Sequence, residues 1–206
     1  ISGMAAMVES RDNSTGGHIR RTSEGVKIFV EQLVKPENNK WHFTESFCKN
    51  LIKAAPMHDL GKIAVDDVIL RKPGKFEPQE YEQMKKHSAE GARIVRQVLS
   101  NVDDAEFVQI AVNVAHYHHE KWNGNGYPEG LKEKGIPIEA RIMAFADVFD
   151  ALVSKRCYKD SFTFEKAFEI IQNDLGNHFD PELGPVFLQC REKLENFYSS
   201  LNSEGK

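Results

Sequence analysis

His58-Asp59-Leu60-Gly61-Lys62 is the stretch on which the reading of this chain turns. It follows residues 47–57, an amphipathic run with helical spacing. An imidazole, a carboxylate and an ammonium fall within about one turn. Neighbouring side chains on a regular helix diverge by roughly 100°. His58 and Asp59 can therefore serve one cation from two sides, or two neighbouring cations if the carboxylate bridges. Lys62 comes four residues after His58 and three after Asp59, on the same face if the turn continues. A protonated amine cannot ligate a metal, but it can hold an anion such as a phosphate. Alone, a His-Asp pair is better read as a partly exposed polar pair at a helix end.

Helical periodicity extends outward in both directions. Residues 1–11 favour helix, and Asp12-Asn13-Ser14-Thr15-Gly16-Gly17 breaks it. His18 opens a second periodic segment that stops near Lys35-Pro36. Thr44, with Glu45 beside it, starts the helix that delivers His58-Asp59. Residues 65–70 are a short segment, and Lys72-Pro73-Gly74 is a turn. Residues 78–86 read as a helix start and 87–99 as the next helix. Residues 107–119 form another helix, which runs into Asn123-Gly124-Asn125-Gly126-Tyr127-Pro128. Residues 137–154 are the most uniformly apolar helix, and 164–175 with 181–201 close the chain as an amphipathic pair. There are no alternating β runs, repeats or low-complexity tracts. The expectation is one all-α, multi-helix domain over residues 1–206.

Composition sets the broad class. The 206 residues are 40 % hydrophobic and 28 % charged with a formal net charge of −4, as in an ordinary globular domain. A mildly acidic chain is a poor candidate for binding nucleic-acid polymers, which calls for a basic excess. A small phosphorylated ligand in a local basic pocket remains compatible. Cys48, Cys157 and Cys190 are isolated and odd in number, which gives no disulfide framework or thiolate metal site and fits a reducing, cytoplasmic setting. No apolar run approaches membrane-spanning length, so no membrane insertion is expected. The opening Ile1-Ser2-Gly3 suggests a domain excised from a longer signalling protein, with a sensor or receiver part upstream. A homodimer through the first helix is a further expectation.

Three features concentrate the chemistry. Asp147 lies in Arg141-Ile-Met-Ala-Phe-Ala-Asp147-Val-Phe-Asp150, a helix apolar on nearly all sides and so expected to be buried. A buried carboxylate there costs several kcal/mol unless a cation or strong donors compensate. Asp150 reads either as an acceptor that orients a histidine or as a salt-bridge partner of Arg141 or Arg156. His118-His119-Glu120 is a second pair of adjacent ligands, and two such pairs suggest a dinuclear centre. His116 reads as an outer neighbour of that centre or as core. In the loop, Gly124 and Gly126 allow close backbone approach, and Tyr127 offers a ring that could stack on a base; a plain helix cap and turn fits the glycines equally. Imidazoles and carboxylates without thiolate suit iron, manganese or zinc.

His58-Asp59-x-Gly61-Lys62 and His118-His119-Glu120-x-x-Asn123-Gly124-x-Gly126-Tyr127-Pro128, about sixty residues apart, together resemble the HD-GYP family, cyclic di-GMP phosphodiesterases of the HD superfamily. The resemblance runs from about residue 8 to 187 and also takes in Thr15-Gly-Gly-His18-x-x-Arg21, His87, Asp147-Val-Phe-Asp150, Arg156-x-Tyr158-Lys159 and His178-Phe179-Asp180-Pro181. It implies metal ligation by His58, Asp59, His87, His118, His119 and Asp147, with His18 a ligand or a close neighbour and Asp59 the bridge. It further implies two divalent ions, iron or manganese. Some members hold a third through a glutamate four residues before the His18 position; Ser14 stands there, so two are expected.

Lys62, Tyr127, Arg156 and Lys159 carry over as substrate contacts, and Asp59 and Lys62 as the catalytic pair. Asn123 replaces an aspartate common before the first loop glycine. The implied reaction is attack of a metal-bridging hydroxide on cyclic di-GMP, giving linear pGpG and then GMP if the linear product fits. Two alternatives accompany it: a phosphodiesterase for another cyclic dinucleotide such as cyclic GMP-AMP, and a non-catalytic module that senses the dinucleotide or docks a GGDEF-type cyclase. The complete ligand set favours catalysis.

Overall fold

The computed structural model describes residues 2–12, 16–154 and 160–204. Ser14, Arg156 and Lys159 lie outside the described residues. In chain order the α-helices are α1 (Ser2–Glu9), α2 (His18–Leu33), α3 (Glu45–Ala54), α4 (Asp67–Leu70), α5 (Pro78–Val98), α6 (Ala105–Tyr117), α7 (Ile138–Val153), α8 (Phe164–Asn173), α9 (Gly184–Leu188) and α10 (Arg191–Glu204). No strand occurs among the described residues, so the all-α expectation stands. No described helix is long and apolar enough to cross a membrane.

Local chemistry starts the helices where the sequence places them. Thr44, Asp104 and Thr163 each accept the backbone N–H three residues on, at 3.0–3.1 Å. Glu77 and Glu80 form a capping box on α5. The core collects along α2, α3, α6 and α7. Phe29 packs edge-on to Phe145 at 5.3 Å and to Phe187 at 5.2 Å, in the geometry aromatic quadrupoles favour.

Three element assignments from sequence need correction. Residues 78–98 form one continuous helix, because no Gly or Pro interrupts them before Gly91. The polar run before His87 is therefore an exposed face, and His87 sits in mid-helix. Residues 181–201 are not one helix but α9 and α10. The chain turns between them where Cys190 is fully buried and the Gln189 side chain accepts from Gln32 and Asn38. Finally, the His58-Asp59 pair is not on a regular helix. Pro56 cannot donate to an α ladder, and the chain passes through two 3₁₀ turns, Ala55–Met57 and Leu60–Ala64. The second turn presses against α5, where a Cβ on Gly61 would lie 1.8 Å from the His87 carbonyl oxygen. Only glycine permits that approach.

Candidate metal centre

Four imidazoles are oriented in the same way. The Nδ1–H of His58 donates to Ala55 O at 2.8 Å, that of His87 to Met84 O at 2.7 Å and that of His118 to Val114 O at 2.9 Å. His18 Nδ1 lies 2.7 Å from Asp150 Oδ2. With Nδ1 committed as donor, the neutral ring turns an Nε2 lone pair inward. His87 Nε2 and His118 Nε2 are buried and find no hydrogen-bond partner among the described residues. His18 Nε2 and His58 Nε2 face each other at 3.1 Å. Two lone pairs at that separation repel unless a proton or a cation lies between them.

Asp59 divides its two oxygens between two groups. Oδ1 stands 3.5 Å from both His87 Nε2 and His118 Nε2. Oδ2 stands 3.4 Å from His58 Nε2 and 3.6 Å from His18 Nε2. Asp147 Oδ1 adds to the second group, 3.4 Å from His18 Nε2 and 3.8 Å from His58 Nε2. Two sets of ligand atoms result, each with its members within 4.8 Å of one another: Asp59, His87, His118 and His119; and His18, His58 and Asp147. Donor atoms, spacing and orphaned Nε2 groups fit two divalent cations sharing Asp59. Asp147 is less enclosed than its apolar helix implies, with a side chain 15 % exposed to the cavity.

The electrostatics ask for positive charge. Burial opposes a proton on His18, yet the Asp150 and Asp59 hydrogen bonds and the Asp147 charge raise its pKa to about 9. Burial also works against ionised Asp59, but Lys62 and the histidines outweigh it and hold the carboxyl well below the usual range. Burial lowers His87 to about 4 and pushes His119 well below an ordinary histidine, so both rings stay neutral and ligand-ready. Lys62 Nζ lies 2.8 Å from Asp59 Oδ2 and 2.9 Å from Asp12 Oδ2. Burial disfavours its charge, but those two carboxylates raise its pKa and keep it a cation.

Asp150, 1 % exposed, is the orienting acceptor for His18. It is also clamped by Arg21, whose Nε donates to Oδ1 at 2.6 Å and whose Nη2 donates to Oδ2 at 3.2 Å. Arg141 instead pairs with Asp180 at 2.7 Å. His116 stays outside both sets, bound to Glu129 at 3.0 Å.

The glycine loop is fastened by Glu120. Its carboxylate accepts the backbone N–H groups of Glu129, Gly130 and Leu131 at 2.7, 3.1 and 3.0 Å. A Cβ on Gly126 would fall 2.4 Å from Lys121 N, so the loop can fold this tightly only with glycine there. Asn123 uses both ends of its amide, donating to Asn177 Oδ1 and accepting from Asn125 N. The fold thus lays the Tyr127 ring on His119, centroids 4.8 Å apart and 23° from parallel. Tyr127, Lys62 and His18, Asp59, His87, His119 and Asp147 of the two sets share a cavity of about 370 Å³, which Lys72, Phe76, Tyr81 and Met84 also line. The sequence reading missed those four and Asp12. Segment 70–84 carries only turn and helix signals, and nothing local marks it as cavity wall.

The HD domain family model matches residues 4–183, and the chain belongs to that family. Within it, the His58-Asp59 and Gly126-Tyr127-Pro128 motifs, both at the same site, make it an HD-GYP domain. A cyclic di-GMP phosphodiesterase of Vibrio cholerae is 42 % identical over 94 % of this chain and 39 % of its own length. A 3′3′-cGAMP-specific phosphodiesterase 2 of the same organism is 40 % identical over 98 % of this chain and 36 % of its own length. The chain thus spans about two-fifths of these relatives. A crystal structure of a V. cholerae cyclic GMP-AMP phosphodiesterase, 20 % identical, superposes with a TM-score of 0.63 over 93 % of this chain and 48 % of that one, which shows the common fold.

Proposed function

We propose that this domain is a dinuclear-metal phosphodiesterase that hydrolyses cyclic di-GMP to linear pGpG, and onward to GMP where the linear product fits. The observation that carries the reading is Asp59, with one oxygen facing each of two histidine sets. When bound, two divalent cations would supply Lewis-acid charge to the phosphodiester and an acidified water as nucleophile. The ligand chemistry supports iron or manganese.

The residues themselves do the rest. Nδ1 hydrogen bonds fix the His18, His58, His87 and His118 imidazoles before substrate arrives, so they need no reorganisation in the transition state. Lys62 remains a cation beside Asp59 and stabilises charge building on the phosphoryl oxygens. Tyr127, Arg156 and Lys159 are the proposed substrate contacts. In the overall step a P–O bond to water forms, the P–O3′ bond breaks, and the departing 3′-oxygen takes up a proton.

One second reading has its own observation. A relative as similar as the cyclic di-GMP enzymes is 3′3′-cGAMP-specific, so that dinucleotide is the alternative substrate. The chain's share of its relatives supports a place in a longer signalling protein, which we assign to the cytoplasm. An upstream receiver or sensor domain, a GGDEF-type cyclase and a second copy of the chain are its proposed partners.

The test is chromatography of both dinucleotides after incubation with protein loaded anaerobically with Fe(II) or Mn(II). Asp59→Ala and a chelated sample run beside it. Metal-dependent pGpG, absent in both controls, is the expected result. Product from 3′3′-cGAMP alone would move the assignment to the second substrate, and no product from either would leave a sensor module.

A further inference from the structure

Helix α10 lies beyond residues 4–183, the part the family model matches, yet it reaches the site. Tyr198, on its buried face, donates its hydroxyl to Asp150 Oδ1 at 2.8 Å. The Tyr198 ring stands edge-on to Phe149 at 5.3 Å and to Phe164 at 6.2 Å. Burial and the Asp150 charge push the phenol well above its ordinary pKa, so the oxygen keeps its proton and stays a donor.

Asp150 is saturated. Oδ1 takes Arg21 Nε at 2.6 Å, Tyr198 at 2.8 Å and Ser154 Oγ at 3.1 Å. Oδ2 takes His18 Nδ1 at 2.7 Å and Arg21 Nη2 at 3.2 Å. Arg21 sits on the same helix as His18, and Ser154 follows Asp150 at the end of α7. Those contacts tie α2 to α7 and report nothing of α10. Tyr198 alone among these donors belongs to another part of the molecule. Its hydroxyl resists rotation of the carboxylate about the Cβ–Cγ bond, and the carboxylate's second oxygen aims the His18 ring.

We propose that Tyr198 is a positioning residue of the metal centre, its hydroxyl setting Asp150 and through it the direction of His18 Nε2, so that this single hydrogen bond from α10, rather than the packing of the helix, tunes one of the two cation sites. This rests on the two-cation reading of the cluster. The histidine-orienting carboxylate is the outer partner whose loss commonly lowers metal affinity 10–100-fold. Tyr198 acts one hydrogen bond further out, which places its effect at roughly tenfold.

The experiment titrates the metal-free chain with Mn(II) against a competing chelator, following free Mn(II) by EPR, with melting curves on the same samples. Tyr198→Phe keeps the ring against Phe149 and Phe164 and removes only the hydroxyl. Leu194→Ala, at a buried position of the same helix, loosens α10 without touching Asp150. The expected result is that both variants melt earlier, while only Tyr198→Phe weakens one Mn(II) equivalent, by roughly tenfold. Two parent-like equivalents in Tyr198→Phe would overturn the proposal and leave the two-cation reading standing. An equal loss of affinity in Leu194→Ala would also overturn it, reducing Tyr198 to packing. A parent chain that takes up no Mn(II) would remove the two-cation reading itself, and this proposal with it.

Discussion

Glu120→Gln isolates what holds the glycine loop over the site. The Glu120 carboxylate, 2 % exposed, accepts Glu129 N and Gly130 N on Oε1 and Leu131 N on Oε2. Glutamine has nearly the same shape but only one acceptor atom. If that atom keeps the Oε1 pair, the new NH₂ faces Leu131 N, donor against donor. One hydrogen bond to a charged group is lost, worth about 1.5–3 kcal/mol, and the two that remain lose their charge assistance. The expected cost is about 2–4 kcal/mol. If the loop unfolds with the domain, that cost lowers Tm by roughly 4–16 °C. If the loop opens locally, Tm moves less, and cleavage between residues 121 and 131 by a protease rises instead. In that second case Tyr127 also loses its fixed place on His119, so KM for the dinucleotide rises more than kcat falls. Calorimetry, limited proteolysis and steady-state kinetics read the three effects. A variant with parental melting, cleavage rate and KM would refute the role assigned to Glu120.

Three further perturbations test separate links. Lys62→Met should keep metal uptake, measured by elemental analysis, because an unpaired Asp59 attracts cations more strongly; kcat should fall about 10²–10³-fold with the loss of transition-state charge stabilisation. Gly61→Ala drives a Cβ into the His87 carbonyl and should cost about 3 kcal/mol or more in urea unfolding, since the atom it meets is helix backbone. His178 is held neutral by burial, with a pKa of about 4 against 6.5 for the free side chain. The unfolded chain therefore binds the proton first, and stability falls as pH drops from 6.5 toward 4. His178→Gln should remove up to about 3 kcal/mol of that acid-side slope, read as Tm against pH in metal-free buffer.

Five residues of the two clusters were legible because they carry a local signature: adjacent pairs at His58-Asp59 and His118-His119, and one carboxylate in an otherwise apolar helix at Asp147. The helices were legible because amphipathic spacing and caps are local too. The contacts that orient the ligands are not local. Arg21 meets Asp150 across 129 residues and Tyr198 meets it across 48, and periodicity reports only the face a residue occupies on its own element. Asp12 pairs with Lys62 across 50 residues from a segment that reads only as a helix break. The histidine side is similar, since nothing beside His87 distinguishes a mid-helix residue of the cluster from a helix start.

Pro56 held a local clue whose consequence is structural. His58 and Asp59 reach the centre from the junction of two 3₁₀ turns and not from a regular helix. Pro56 ends the α ladder, and the tighter turn returns His58 Nδ1–H to the carbonyl of Ala55, 2.8 Å away. Asp59 then sits at the start of the next 3₁₀ turn with its carboxylate free of any capping bond, and its two oxygens separate toward the two histidine sets. That turn must lie flat on α5 for His87 to reach Oδ1, and the approach is open only because residue 61 has no side chain. Pro56, Gly61 and His87 thus act as one device: the proline bends the chain, the glycine lets it dock, and the docked helix brings His87 to Asp59.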